Sequence, residues 1–72
     1  MKQEIREMLE EQLPLVDFDS DFLFAELDSL GIAQILMSLS EKYNIPMTAK
    51  DVTPKNFKNL DSLVQLVEQK KQ

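Results

Sequence analysis

The periodic apolar segment between residues 29 and 43 constrains the fold more than any other feature of the sequence. Its apolar side chains recur at intervals of three and four residues, which aligns them on one face of an α-helix. No segment shows the strict alternation of apolar and polar residues that is typical of a half-buried strand. Asn44 tolerates the left-handed conformation of a helix end, and Pro46 prevents continuation. We therefore predict a helix over 29–43 whose inward face consists of Ile32, Ile35, Leu36, Leu39 and Tyr43.

Helical spacing also occurs near both ends of the chain. A first helix is predicted over residues 2–13, because Pro14 ends it. A last helix is predicted after Asn59, since this side chain can accept hydrogen bonds from the unpaired N–H groups of a helix start. The apolar faces of these two helices are expected to consist of Ile5, Met8, Leu9, Leu13, Leu60, Leu63, Val64 and Val67.

The remaining segments are less regular. Residues 14–28 mix acids with apolar side chains and are predicted to form a long loop, which its aromatic residues hold against the core. Thr48 with Asp51 is a helix-start signal, so a short helical turn is expected within 48–57. The predicted fold class is all-α, a bundle of three main helices plus one short helix with a long first loop. Residues 1–72 are expected to form a single domain.

The chain contains neither cysteine nor histidine. This composition excludes disulfides, zinc sites built from Cys and His, and catalysis by a thiol or an imidazole. No stretch approaches the roughly 20 apolar residues of a membrane span, and the acidic, polar N-terminal segment does not resemble a signal peptide. We expect a monomeric cytoplasmic protein that does not insert into a membrane.

Charge is unevenly distributed along the chain, whose formal net charge is −5. From Glu7 to Glu41 there are nine acids and no lysine or arginine. Nucleic-acid binding requires clustered positive charge, so we expect no nucleic-acid partner. The acidic half should instead attract basic enzyme surfaces. The alternative is that the acids serve solubility alone.

The tetrapeptide Leu-Asp-Ser-Leu occurs at residues 27–30 and again at 60–63. In either copy the polar pair could serve only to cap a helix, which is worth about 1 kcal/mol. Ser62 is expected to be an exposed polar residue in the first turn of an already capped helix. Ser29 instead follows a long loop, and a group attached to its hydroxyl would lie beside a helix N-terminus, where phosphate is favoured. The negative charge of Asp28 opposes this preference a little.

A second apolar line, consisting of Leu30, Ala33 and Met37, runs beside the inward face of the central helix. An exposed apolar strip flanked by polar residues commonly marks a partner site, and methionine suits such a surface because it is flexible. The alternative is that Leu30 and Met37 fill gaps beneath the long loop. The sequence leaves both possibilities open.

The order of motifs from Phe22 to Gln69 resembles that of a known family. Asp28-Ser29-Leu30 precedes the central apolar helix, and then come Tyr43, Asn44-Ile45-Pro46, Phe57 and a final apolar helix. This order is similar to that of acyl carrier proteins, which attach a 4′-phosphopantetheine arm to the serine of such a motif. The resemblance implies that Ser29 carries the arm and that the chain is a carrier, not an enzyme. It departs from the family at Ala25 and Glu26, where a glycine is usual.

The resemblance also implies partners. A phosphopantetheinyl transferase would attach the arm from coenzyme A, and an adenylating ligase or an acyltransferase would load it. The central helix carries Glu41 as its only acid, so partner contacts are expected to rest on the apolar line and the acidic loop. The expected contact residues are Glu26, Asp28, Leu30, Ala33 and Met37.

Within the family the likeness is closest to D-alanyl carrier proteins, which supply D-alanine for teichoic acids. It rests on Gly31, on Gln34 and on Phe57 with Asn59. Four phenylalanines favour a filled interior and hence a small cargo. One alternative is a carrier for fatty-acid, polyketide or other acyl chains, and another is an unmodified helical interaction domain in which Ser29 only caps. A small hydrolase is disfavoured because no histidine is present to activate Ser29.

Overall fold

The computed structural model describes residues 1–71 and confirms the all-α fold. Helix α1 spans Lys2–Gln12, α2 spans Leu23–Glu26, α3 spans Ser29–Tyr43 and α4 spans Leu60–Lys71, with a 3₁₀ turn at Ala49–Asp51 between α3 and α4. Helix α1 packs against both α3 and α4, and α3 packs against α4. Over this described part of the chain there is no strand, and no helix is long and apolar enough to cross a membrane.

The three long helices enclose one core. Each fully buried aliphatic side chain in it contributes roughly 1.5–3 kcal/mol, which is substantial for a chain of this size. The predicted inward face of α3 is confirmed at its centre, while Ile32, Leu36 and Tyr43 are only partly buried at its edge. The largest fully buried side chains are Phe57, Ile5, Leu9, Leu23, Ile35, Leu39, Leu63 and Val67.

The ends of α3 follow from its flanking residues. Asn44 adopts the left-handed conformation, with φ 53° and ψ 52°, as predicted. The predicted short turn is also confirmed, because Thr48 and Asp51 form a capping box around the 3₁₀ turn. Asp51 additionally pairs with Lys70 near the end of α4, with 3.0 Å between Oδ1 and Nζ. This pair joins the segment after α3 to the last helix.

The prediction that 14–28 is wholly a loop was wrong at α2. Leu23 begins this helix inside the core, and Leu27, which follows the helix with an extended backbone, is partly buried against the same core. Leu23 is completely buried, and its backbone N–H donates to the Lys58 carbonyl oxygen at 2.9 Å. This short helix therefore connects the first loop to the segment before α4.

The aromatic residues of the first loop divide into buried and exposed ones. Phe18 is buried and does hold the loop, as predicted. Phe24 is 37% exposed and still packs edge to face against the buried Phe57, whereas Phe22 was expected to face the core and is 77% exposed. Phe22 points outward because the adjacent Leu23 takes the inward position. Only one side of so short a helix can face the core.

Candidate functional site

Ser29 is the first residue of α3 and is exposed to solvent, as expected for a residue open to modification. The cap of the helix is the preceding residue, since the Asp28 carboxylate accepts a hydrogen bond from the Gly31 N–H at 2.8 Å. The idea that Ser29 serves only as the cap is therefore wrong. Asp28 performs that function and leaves the hydroxyl of Ser29 outside the capping interaction.

The second copy of the tetrapeptide is built differently. Asn59 caps α4, as predicted, because its side-chain oxygen accepts from the Ser62 N–H at 2.8 Å. The Ser62 hydroxyl accepts from the Asn59 N–H at 3.0 Å and donates to the Asn56 carbonyl oxygen at 2.6 Å. Ser62 is partly buried, so the expectation that it is an ordinary exposed residue was wrong. Its hydroxyl is a structural part of the helix start.

The two copies differ by two residues in their position relative to the helix start. Ser29 is the first residue of its helix, whereas Ser62 is the third. Leu30 is 81% exposed and Leu63 is fully buried. The same four letters thus produce a surface site in one place and a core position in the other.

Gly31 permits the close approach of the cap. A Cβ atom at this position would lie 3.3 Å from the Asp28 carboxylate oxygen and 3.3 Å from a methyl group of Leu27. Both distances are tighter than ordinary van der Waals contact. The single glycine of the chain therefore belongs to the geometry that positions Ser29.

The apolar line along α3 lies at the surface. Leu30 is 81% exposed and Met37 59% exposed, and Ala33 between them is exposed as well. Leu30 and Met37 do not fill gaps beneath the first loop, so that alternative was wrong. Glu26 and Asp28 are also exposed. All the residues predicted for partner contact are thus exposed, and in the sequence they lie before and after Ser29.

A cleft of about 510 Å³ opens beside the start of α3. It lies between the end of α1 with its following loop and the segment from α2 to Gly31. The cleft is a groove at the surface, not a tunnel into the core, since the core centre is filled by Phe57 and the aliphatic side chains around it. No deep apolar tunnel leads inward from the site among the residues that the structure describes.

A comparison with known families decides what kind of site this is. The family model described as "Phosphopantetheine attachment site" matches residues 2–67. The chain belongs to this family. It therefore bears 4′-phosphopantetheine, attached covalently to a serine, and the resemblance to carrier proteins is confirmed. No curated protein and no solved structure matches the chain significantly.

The residues at the start of α3 fit this cofactor. An exposed hydroxyl is required for a phosphodiester, and Ser29 provides one at a helix end whose N–H groups favour phosphate. When bound, phosphopantetheine supplies the terminal thiol for thioester formation that a chain without cysteine lacks. Domains of this family are generally carriers that work with partner enzymes and do not catalyse reactions themselves.

Sequence reasoning missed one exposed feature near the site. Phe22 and Phe24 were expected in the core, yet both contribute to an apolar cleft beside α2. The sequence offers no periodic signal that separates the buried Leu23 from its two aromatic neighbours, because α2 is only four residues long.

Proposed function

We propose that this protein is a carrier whose phosphopantetheine arm is attached to Ser29. One observation supports the assignment above all others, namely the state of its five serine hydroxyls. Over residues 1–71, Ser29 is the exposed serine, and its hydroxyl is the one that makes no hydrogen bond to the protein. The hydroxyls of the others are engaged in hydrogen bonds, namely Ser20, Ser38, Ser40 and Ser62.

The local structure prepares Ser29 for attachment. The first N–H groups of a helix have no partners within it, and Asp28 satisfies that of Gly31. The N–H groups of Ser29 and Leu30 are therefore the ones available to a phosphate. In the transfer reaction the Ser29 oxygen forms a bond to phosphorus of coenzyme A, and the bond from that phosphorus to adenosine 3′,5′-bisphosphate breaks. The hydroxyl proton passes to a base of the transferase or to solvent.

The partners expected of such a carrier are a phosphopantetheinyl transferase and an adenylating ligase or acyltransferase. We place their contacts on the exposed residues around Ser29, where a partner with a basic surface would meet acids and apolar side chains together. The exposed leucine and methionine are the apolar anchors, and the acids attract the partner. The contact set is Glu26, Asp28, Leu30, Ala33 and Met37.

For the cargo we propose an amino acid, specifically D-alanine destined for teichoic acids. Two features support a small cargo: the core around Phe57 is filled, and the cleft beside Ser29 is an open groove. Helix α3 also lacks the series of acids that would attract fatty-acid synthase enzymes, since Glu41 near its end is its only acid. A carrier for longer acyl chains would need a core that opens.

Mass spectrometry after incubation with coenzyme A, Mg²⁺ and a broad-range phosphopantetheinyl transferase tests the attachment site. We expect one added phosphopantetheine group on the wild type and on Ser20→Ala, and none on Ser29→Ala. Ser62→Ala is also expected to be modified, although it loses about 1 kcal/mol of stability with its capping bonds. Modification of Ser29→Ala, or none of the wild type, would overturn the proposal.

A further inference from the structure

An apolar cleft of about 340 Å³ lies between α2 and the segment before α4. Phe22, at 77% exposure, is among the most exposed large apolar side chains of the chain. Packing in the core does not require a phenylalanine at position 22, because the neighbouring Leu23 takes the buried position. A surface that keeps a phenylalanine in water commonly serves binding. The cleft is lined by Asp21, Phe22, Phe24, Ala25, Pro54 and Lys58.

This cleft is held in place by contacts on both of its sides. The Leu23 N–H donates to the Lys58 carbonyl oxygen at 2.9 Å, which joins α2 to the opposite wall. The Asn59 amide donates to the Asp21 carboxylate at 3.3 Å. Phe24 meets the buried Phe57 edge to face, with 6.4 Å between ring centroids. Because the walls are fixed before binding, a partner loses little affinity to ordering them.

The charged residues at the cleft indicate which charges a binding partner should carry. Asp21 lines one side and Lys58 another, with apolar surface between them. A fitting partner presents an apolar side chain between a basic and an acidic residue. A second copy of the chain is disfavoured, because each copy carries a net charge of −5 and the two would repel each other. An anionic membrane surface would be repelled by the acidic half in the same way.

The position of the cleft indicates which partner covers it. Ala25 lies four residues before Ser29, so their Cα atoms are at most about 14 Å apart. An interface of standard size covers about 800 Å² per partner, a patch on the order of 30 Å across. A patch of this width over Ser29 is therefore large enough to include the cleft beside α2.

We propose that this cleft is a docking site for the phosphopantetheinyl transferase. The proposal rests on attachment at Ser29, since the transferase is the partner that must bind the unmodified chain. The enzyme inserts an apolar side chain between Phe22 and Pro54, and it places a basic group against Asp21 and an acidic group against Lys58. The cleft thus adds to the contacts made along α3.

Steady-state kinetics of the modification test this proposal, with the unmodified protein, coenzyme A, Mg²⁺ and the broad-range transferase. Phe22→Ser is expected to raise the KM for the carrier about tenfold with little change in kcat, the effect of losing an interface anchor. Gln65→Ser is the control, because Gln65 is exposed on α4 and lines neither this cleft nor the groove beside Ser29. It should leave both constants unchanged. Circular dichroism confirms that each variant is folded.

Charge reversal supplies a second measurement. Asp21→Lys and Lys58→Glu are each expected to raise KM, with the effect weakening as salt is added. An unchanged KM in Phe22→Ser overturns the docking site, and so does an equal rise in Gln65→Ser. A change in sedimentation between Phe22→Ser and the wild type would instead assign the cleft to self-association and overturn the proposal. Failure of the Ser29 assignment is recognised separately, because Ser29→Ala would then still be modified.

Discussion

The Asp28 carboxylate caps α3 by accepting a hydrogen bond from the Gly31 N–H at 2.8 Å, and this bond leaves the hydroxyl of the intervening Ser29 free. Asp28 caps the helix, and the next residue, Ser29, carries the accessible hydroxyl. In the second Leu-Asp-Ser-Leu copy the cap is Asn59, which precedes the tetrapeptide, and the hydroxyl of Ser62 is engaged in hydrogen bonds. Which serine is accessible is thus decided by where each helix begins.

The cap predicts a specific stability change. Asp28→Ala should lower the free energy of unfolding by about 1 kcal/mol, because one N–H group of α3 loses its partner. Asp28→Asn keeps an acceptor oxygen and should lose only a few tenths of that amount. Urea denaturation followed by circular dichroism measures both. Equal stability of Asp28→Ala and the wild type would contradict the capping function.

Several parts of this fold were predictable from sequence because the local signals agree. The bounds of α3 follow from its apolar period and from the left-handed Asn44. Helix α2 was missed because four residues are too short to display a period. The outward direction of Phe22 was also missed, because hydrophobicity alone does not tell which of three adjacent apolar residues faces the core. That choice is made by the contact of Leu23 with the segment before α4.

Tyr43, the only tyrosine, has its hydroxyl buried without a hydrogen-bond partner among the described residues. Tyr43→Phe removes an unsatisfied polar group and should raise the free energy of unfolding by about 1 kcal/mol. Urea denaturation at neutral pH measures this gain. A loss of stability would show that the hydroxyl makes a favourable interaction.

The same hydroxyl predicts a dependence on alkaline pH. Burial, with a smaller contribution from the negative charge of Glu4, raises the pKa of Tyr43 above its ordinary value. A group whose folded pKa is raised contributes stability that is present below its unfolded pKa of about 10 and lost as pH rises through the folded pKa. The wild type should therefore lose this contribution above pH 10, and Tyr43→Phe should not. Absorbance of the single tyrosinate measures the pKa directly.

Asp51 predicts a dependence on acid pH. Burial alone would raise its pKa, but hydrogen bonds from the Thr48 N–H and from Lys70, with the charge of Lys70, together lower it. A depressed carboxyl pKa contributes stability that is present above its unfolded value of about 3.9 and lost as pH falls through the folded pKa. Urea midpoints between pH 2 and 7 should fall less steeply for Asp51→Asn than for the wild type.

A matched control for Asp51 exists in the pair between Lys2 and Asp61. Their charged atoms are 2.8 Å apart, but both side chains are more than half exposed. Exposed ion pairs are screened and contribute little, so Asp61→Asn should change the acid profile only slightly. If the two variants behave alike, the hydrogen bonds to Asp51 do not stabilise the fold as described.

The proposed cargo gives the last prediction. Because the core around Phe57 is filled, a D-alanyl group on the modified protein should leave the amide NMR signals of the core unchanged, whereas a long acyl group would have to displace core side chains. Amide spectra of the D-alanyl and octanoyl forms, each compared with the unloaded form, measure the difference. For the D-alanyl form we expect signal shifts confined to the start of α3. For the octanoyl form we expect the acyl chain to be incompletely buried. Octanoyl-dependent shifts throughout α3 and α4, together with failure of a D-alanine-specific adenylating ligase to load the carrier, would instead favour a longer acyl cargo.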